Sequence, residues 1–199
     1  MENPWEQKMA TLTAQDATWS DHNEMIFWLW AALKTGERFL HTSHELSSVQ
    51  KAMFAQPMEK WGDHKAELND IKSQSTLESH QFLNALGVLL RVLQRSQHLF
   101  PTVQPPYSRA NHTITEGKLL RDLVEHAYGK DGYLAGGGKM KDKFVKEEAG
   151  MAADAVSLIV KDDGHWLGNR LCVERSLEEI RAIQIEALKV PAPSIDDQE

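Results

Sequence analysis

The chain has 199 residues, of which 41% are hydrophobic and 26% charged, with a net charge of −7 and one cysteine, Cys172. This is globular rather than disordered composition, at a length that fits one domain with a buried core. It excludes a disulfide framework, a cysteine-based zinc cluster and a general nucleic-acid coat, which needs a basic surface to neutralise phosphate. The longest apolar run, Met25 to Leu33, is nine residues, against the ~20 that span a bilayer. The N-terminus lacks the basic start and apolar run of a signal peptide. A reduced, cytoplasmic setting without membrane partners is expected.

Taken in chain order, Trp5 to Thr18 suits an early helix. A first long helix is expected from near Asp21, whose spacing to Glu24 fits a capping box. Ile26, Leu29, Trp30, Leu33 and Leu40 recur at helical spacing on one face, whereas Leu46, Val49 and Met53 lie opposite, which predicts a kink or break within 42–48. Pro57 and Gly62 close that region. Ser75-Thr-Leu-Glu78 has the capping-box form and precedes Phe82, Leu83, Leu86, Leu89, Leu90 and Leu93, the clearest amphipathic helix and the expected centre of a bundle. Pro101, Pro105 and Pro106 predict a loop.

Thr113-Ile-Thr-Glu116 is a second capping box, opening a helix through Leu119, Leu120, Leu123, Val124 and Ala127. Gly129 to Gly138 ends it, and Met140 to Ala155 is read as a further helix. The period then changes. Residues 156–160, a turn at Asp162-Asp163-Gly164 and residues 166–173 predict a β-hairpin. Ser176 to Glu179 is a third capping box, starting a last helix to about Lys189. The expected fold is mainly α: a single domain over 1–190, a bundle of four or more helices with a small hairpin near 156–173, then a disordered acidic tail, 191–199.

Arg121-Asp-Leu-Val-Glu-His126 has the form R-x4-H, with a polar residue after the arginine. On a helix of a helical bundle, this segment resembles the HEPN family (higher eukaryotes and prokaryotes nucleotide-binding domains). The resemblance implies a homodimeric, metal-independent endoribonuclease acting on RNA, a toxin or defence component, with Arg121 and His126 catalytic and Asp122 supporting them. Attack by a 2′-OH on a phosphodiester needs a proton shuttle, and histidine titrates in the right range. It also needs a cation for the developing charge, which an arginine fork supplies. The residues themselves leave a second reading open. Residues four apart stack, so Arg121–Glu125 and Asp122–His126 are ready-made surface pairs, and Arg121 and His126 stand about 140° apart on a straight helix. The chain would then be a non-enzymatic helical protein–protein interaction module.

Between Lys130 and Lys146 five lysines face two aspartates, a local balance of +3. Lys139, Lys141 and Lys143 are therefore phosphate-binding candidates beside Arg121. Gly136-Gly-Gly-Lys139 is not a P-loop, because Tyr133 stands where the first glycine belongs and Met140 replaces the serine or threonine. Glu37, His41 and His44 continue the core stripe as polar residues; a bundle metal site with His80 is one way to satisfy them, a turn toward solvent the simpler one. No E-x-x-H pair recurs on two helices, so neither metal nor cofactor is expected. Cys172 is read as a small buried hydrophobe, and His165-Trp166 as hairpin packing.

Overall fold

The computed structural model describes residues 4–96, 99–126, 144–148 and 151–190. Helix α1 runs unbroken over Pro4–Phe54, 51 residues and about 75 Å at the α-helical rise. A 3-10 segment, Met58–His64, leads into α2, Lys65–Ser96, and α3 spans Gln104–Glu125. Two strands follow, β1 (Val145–Glu148) and β2 (Met151–Asp154), then β3 (Leu158–Lys161), β4 (Gly164–Leu167), β5 (Leu171–Cys172) and the last helix, α4 (Val173–Ala187). The chain is mainly α, a helical bundle with a small antiparallel strand group near its C-terminal end.

Helix α1 packs along α2 and α4, and α3 packs on α2 and α4. Met25, Leu29 and Phe39 of α1, Phe82, Leu86, Leu89 and Leu93 of α2, Ile114, Leu120 and Leu123 of α3, and Ile180 of α4 are fully buried in one cluster. The α2 stripe expected from the sequence is therefore the centre of the core. Within α1 the expected face holds for Leu29 and Leu33, but Trp30 is 53% exposed and lies beside the exposed Phe27. The helix is not broken within 42–48, where a kink or break was expected. The apolar stripe drifts because the neighbour changes: Leu46 faces a cleft with Val156, Leu158 and Leu167 of the strand group. Thr42, Ser43 and Ser47 donate their hydroxyls to carbonyls four residues back, which satisfies these polar groups within α1 itself.

None of the four capping boxes starts a helix, and Asp21 and Glu24 lie inside α1, which begins at Pro4. Ser75 and Glu78 lie inside α2, Thr113 and Glu116 inside α3, and Ser176 inside α4, where its hydroxyl donates to the Cys172 carbonyl at 2.6 Å. Glu78 is instead a buried carboxylate, accepting from Thr42 at 2.5 Å and Gln74 at 2.8 Å. Pro105 and Pro106, expected in a loop, occupy the first turn of α3, where a missing N–H costs nothing.

Val145 to Asp154, read as helix, is an antiparallel pair in register from Val145 opposite Asp154 to Glu148 opposite Met151. The predicted hairpin is a three-stranded meander in the order β3-β4-β5. Its first turn is Asp162-Asp163, and its second carries Gly168 and Asn169 at φ 56° and 55°, the left-handed pair a tight hairpin turn requires. His165 on β4 is tied to α4 through Glu174, whose carboxylate meets the His165 Nδ1 at 2.6 Å and accepts from its backbone N–H at 2.9 Å.

Leu89 has no exposed surface and sits where α2 meets the rest of the core. Leu89→Ala is expected to lower stability by about 2–5 kcal/mol in urea titration. A loss below about 1 kcal/mol would mean that α2 is peripheral.

Candidate functional site

The site begins with two glycines. Helix interiors disfavour glycine by about 1 kcal/mol relative to alanine, so one kept in mid-helix calls for a reason. Gly117 of α3 faces the Leu86 side chain, and a Cβ there would collide with it. One residue along α2, Gly87 faces the Arg121 guanidinium, and a Cβ there would collide with Nη1 and crowd Cζ and Cδ. Gly117 and Arg121 are four apart and share a face. Each helix thus receives one side chain of the other in a notch, which fixes their register.

Arg121 lies in that seat with its side chain 15% exposed. Its Nε and Nη2 donate to the Oδ1 of Asp122 at 3.1 and 2.5 Å, and Glu125 lies 3.6 Å from Nε. Lys118 donates to the other Asp122 oxygen at 2.5 Å. Burial pushes the Asp122 carboxyl upward, but the hydrogen bonds from Lys118 and Arg121 outweigh it and hold the group below its ordinary value. His126 is the C-cap of α3, at φ −102° and ψ 10°, exposed, with its backbone N–H on the Asp122 carbonyl at 3.1 Å. The R-x4-H pair therefore occupies a helix end, not the interior of a straight helix. Lys139, Lys141 and Lys143 lie outside the described residues, as does the Gly136 to Gly138 run.

A shallow crevice opens beside Arg121. Its walls are His80, Leu83 and Asn84 from α2 and Arg121, Val124 and Glu125 from α3, matching i, i+3, i+4 sets on the two helices. Gly87 continues the α2 stripe by one more turn, seven residues beyond His80. Sequence reasoning missed Gly87 and took His80 only as a possible metal ligand. Gly87 carried a signal, a glycine inside the apolar run from Phe82 to Leu93, but the side chain approaching it belongs to another helix.

The remaining candidates disperse. Glu37 is held below its ordinary pKa by hydrogen bonds from Lys34 and Arg181 on the surface. His41 lines a groove of about 480 Å³ between α1 and α2 with Arg38, Glu45, Asp70, Gln74 and Glu78. His44 packs edge-on against His165 with ring centroids 4.6 Å apart, and His80 is in the α2–α3 crevice. Among the described residues no three His, Cys, Asp or Glu side chains are grouped to hold a metal ion. Cys172 is buried, and burial raises its thiol pKa, the opposite of an activated nucleophile. Trp166 donates to Asp163 at 2.9 Å and lies under the Lys161 ammonium at 4.2 Å, so it packs the hairpin as expected. No helix among the described residues is long and apolar enough to cross a membrane. No protein-family model, curated protein or solved structure matches the chain.

Asp122 gives this site a signature in acid. Its folded pKa lies below the ordinary 3.8, so its stabilisation is complete above that value and lost as pH falls through the lower, folded one. Asp122→Asn is expected to cost about 1 kcal/mol at neutral pH, for a partly exposed charged hydrogen bond. The urea midpoints of the two proteins should stay apart through mild acid and converge only below 3.8. A gap that closes already in the histidine range would assign it to another group.

Proposed function

We propose that this chain is a HEPN-like, metal-independent endoribonuclease that works as a homodimer on single-stranded RNA, as a toxin or defence component. Arg121 and His126 are its catalytic pair and Asp122 its orienting residue. The observation that carries this reading is the Gly87 seat: α2 forgoes a favourable side chain so that one guanidinium can lie in a mostly buried, oriented position. A surface ion pair needs no such seat. Asp122 takes Nε and Nη2 of that guanidinium on one oxygen, the supporting role the resemblance implies.

In this reading Arg121 binds the scissile phosphate and the charge that builds on it, and His126, exposed at the helix end, moves protons. The 2′-OH attacks the adjacent phosphorus, the bond to the 5′-oxygen breaks, and the products are a 2′,3′-cyclic phosphate and a 5′-hydroxyl. The basic 139–143 segment, which follows α3 in sequence, adds phosphate contacts.

A second reading, a non-enzymatic interaction module, draws on two observations. Asp122 and Glu125 together neutralise the Arg121 charge, which weakens its pull on a polyanion. Phe27 and Trp30 form an exposed aromatic pair on α1, 54% and 53% accessible, as binding surfaces often do.

The test is cleavage of single-stranded RNA in chelator. Wild type is expected to produce cyclic-phosphate ends, and Arg121→Ala and His126→Ala each to lower the rate by about 100-fold or more with far-UV CD unchanged. Activity surviving in both variants would exclude this site. Absence of cleavage by the wild-type dimer on varied RNAs would favour the interaction module.

A further inference from the structure

We propose that His80 of α2 is the second proton-transfer group of this site, an inference that rests on the endoribonuclease reading above. Transesterification of RNA requires two proton movements. One group takes the proton from the attacking 2′-OH, and one delivers a proton to the departing 5′-oxygen. Within one protomer His126 alone would have to do both, on opposite sides of the phosphorus.

The α2–α3 crevice supplies a second imidazole. His80 stands on its wall with Arg121, Val124 and Glu125, so it faces the arginine and the turn that ends at His126. It is half-buried, and among the described residues it makes no hydrogen bond or ion pair, which leaves both ring nitrogens for a ligand. The polar groups near it are Asn84 on its own helix and Arg121 and Glu125 across the crevice. In this proposal a phosphate on the Arg121 guanidinium lies across the crevice from His80, and His126 follows the crevice residue Glu125 at the end of α3. One imidazole accepts the 2′-hydroxyl proton while the protonated other gives one to the 5′-oxygen. No electrons are transferred, no proton is gained or lost overall, and exchange with water resets the pair. His80 belongs to the crevice only because the glycine notches bring α2 and α3 so close.

The experiment measures kcat and KM across the pH range on a fluorescent single-stranded RNA in chelator, for wild type, His80→Ala and His80→Gln. Wild type is expected to show a bell-shaped kcat profile. His80→Ala should lower kcat by about 100-fold or more with KM nearly unchanged, and should lose one limb of the bell. Loss of the acid limb makes His80 the base; loss of the alkaline limb makes it the acid. Added imidazole should restore part of the His80→Ala rate. His80→Gln, which keeps polarity and bulk without titrating, should be as slow, and so separates chemistry from folding should the alanine variant unfold. If His80→Ala or His80→Gln keeps kcat within about threefold and both limbs, while Arg121→Ala and His126→Ala are inactive, His80 is not a proton carrier and the ribonuclease reading stands alone. If wild type makes no cyclic phosphate, both ideas fall.

Discussion

The distance between α2 and α3 is set by two glycines, and the rest of the site depends on that distance. Leu86 enters the notch at Gly117, and Arg121 enters the notch at Gly87. The first contact is apolar and belongs to the core; the second brings a charged group to the same depth. Core packing leaves no slack to absorb a shift of one element against another, because interiors are filled to crystal-like density. The position of the Arg121 guanidinium is thereby coupled to the packing of Leu86, Leu89 and Leu120, all fully buried. Gly117 is required by core packing, since a Cβ there would meet Leu86; at position 87 a fold that needed only a stable α2–α3 contact would do better with alanine.

Charge around Arg121 is balanced rather than absent. Lys118, Asp122, Arg121 and Glu125 form a chain of alternating sign along one side of α3. Such a chain adds little stability where water reaches it, since exposed ion pairs contribute about 0–1 kcal/mol. Its effect is on orientation. Asp122 occupies the Nε and Nη2 edge, so a phosphate can meet only the donors that remain. Glu125, 48% exposed and 3.6 Å away, is the carboxylate an incoming anion would displace most easily.

Much of the fold was legible because apolar periodicity needs no knowledge of partners. The stripe from Phe82 to Leu93, the last helix and the Asp162–Gly164 turn follow from spacing and turn chemistry. Boundaries failed where a local motif has two uses. Ser-x-x-Glu within α2 is no cap, because Glu78 reaches across to Thr42 of α1, a partner 36 residues away. Trp30 matched the core period of α1 yet faces outward with Phe27, since period alone does not say how wide the covered face is. The 145–154 pair was misread because its short strands, Val-Lys-Glu-Glu and Met-Ala-Ala-Asp, use residues that helices accept well. At the site, the R-x4-H segment and the adjacent carboxylate were visible in the sequence. Gly87 was not, and His80 was read only as a possible metal ligand, because their meaning comes from α3, and a single helix does not reveal which neighbour its small and polar residues face.

The most direct test of this account is Gly87→Ala, followed in parallel by thermal unfolding and by RNA cleavage. A Cβ at position 87 collides with the far end of a flexible arginine, so Arg121 is displaced while the core is spared. Relief of an interior glycine contributes up to about 1 kcal/mol. The account therefore expects an unchanged or higher melting temperature together with cleavage reduced toward the level of Arg121→Ala. A variant that folds as well as wild type and cuts RNA at the wild-type rate would contradict it, because the seat would then have no bearing on the chemistry.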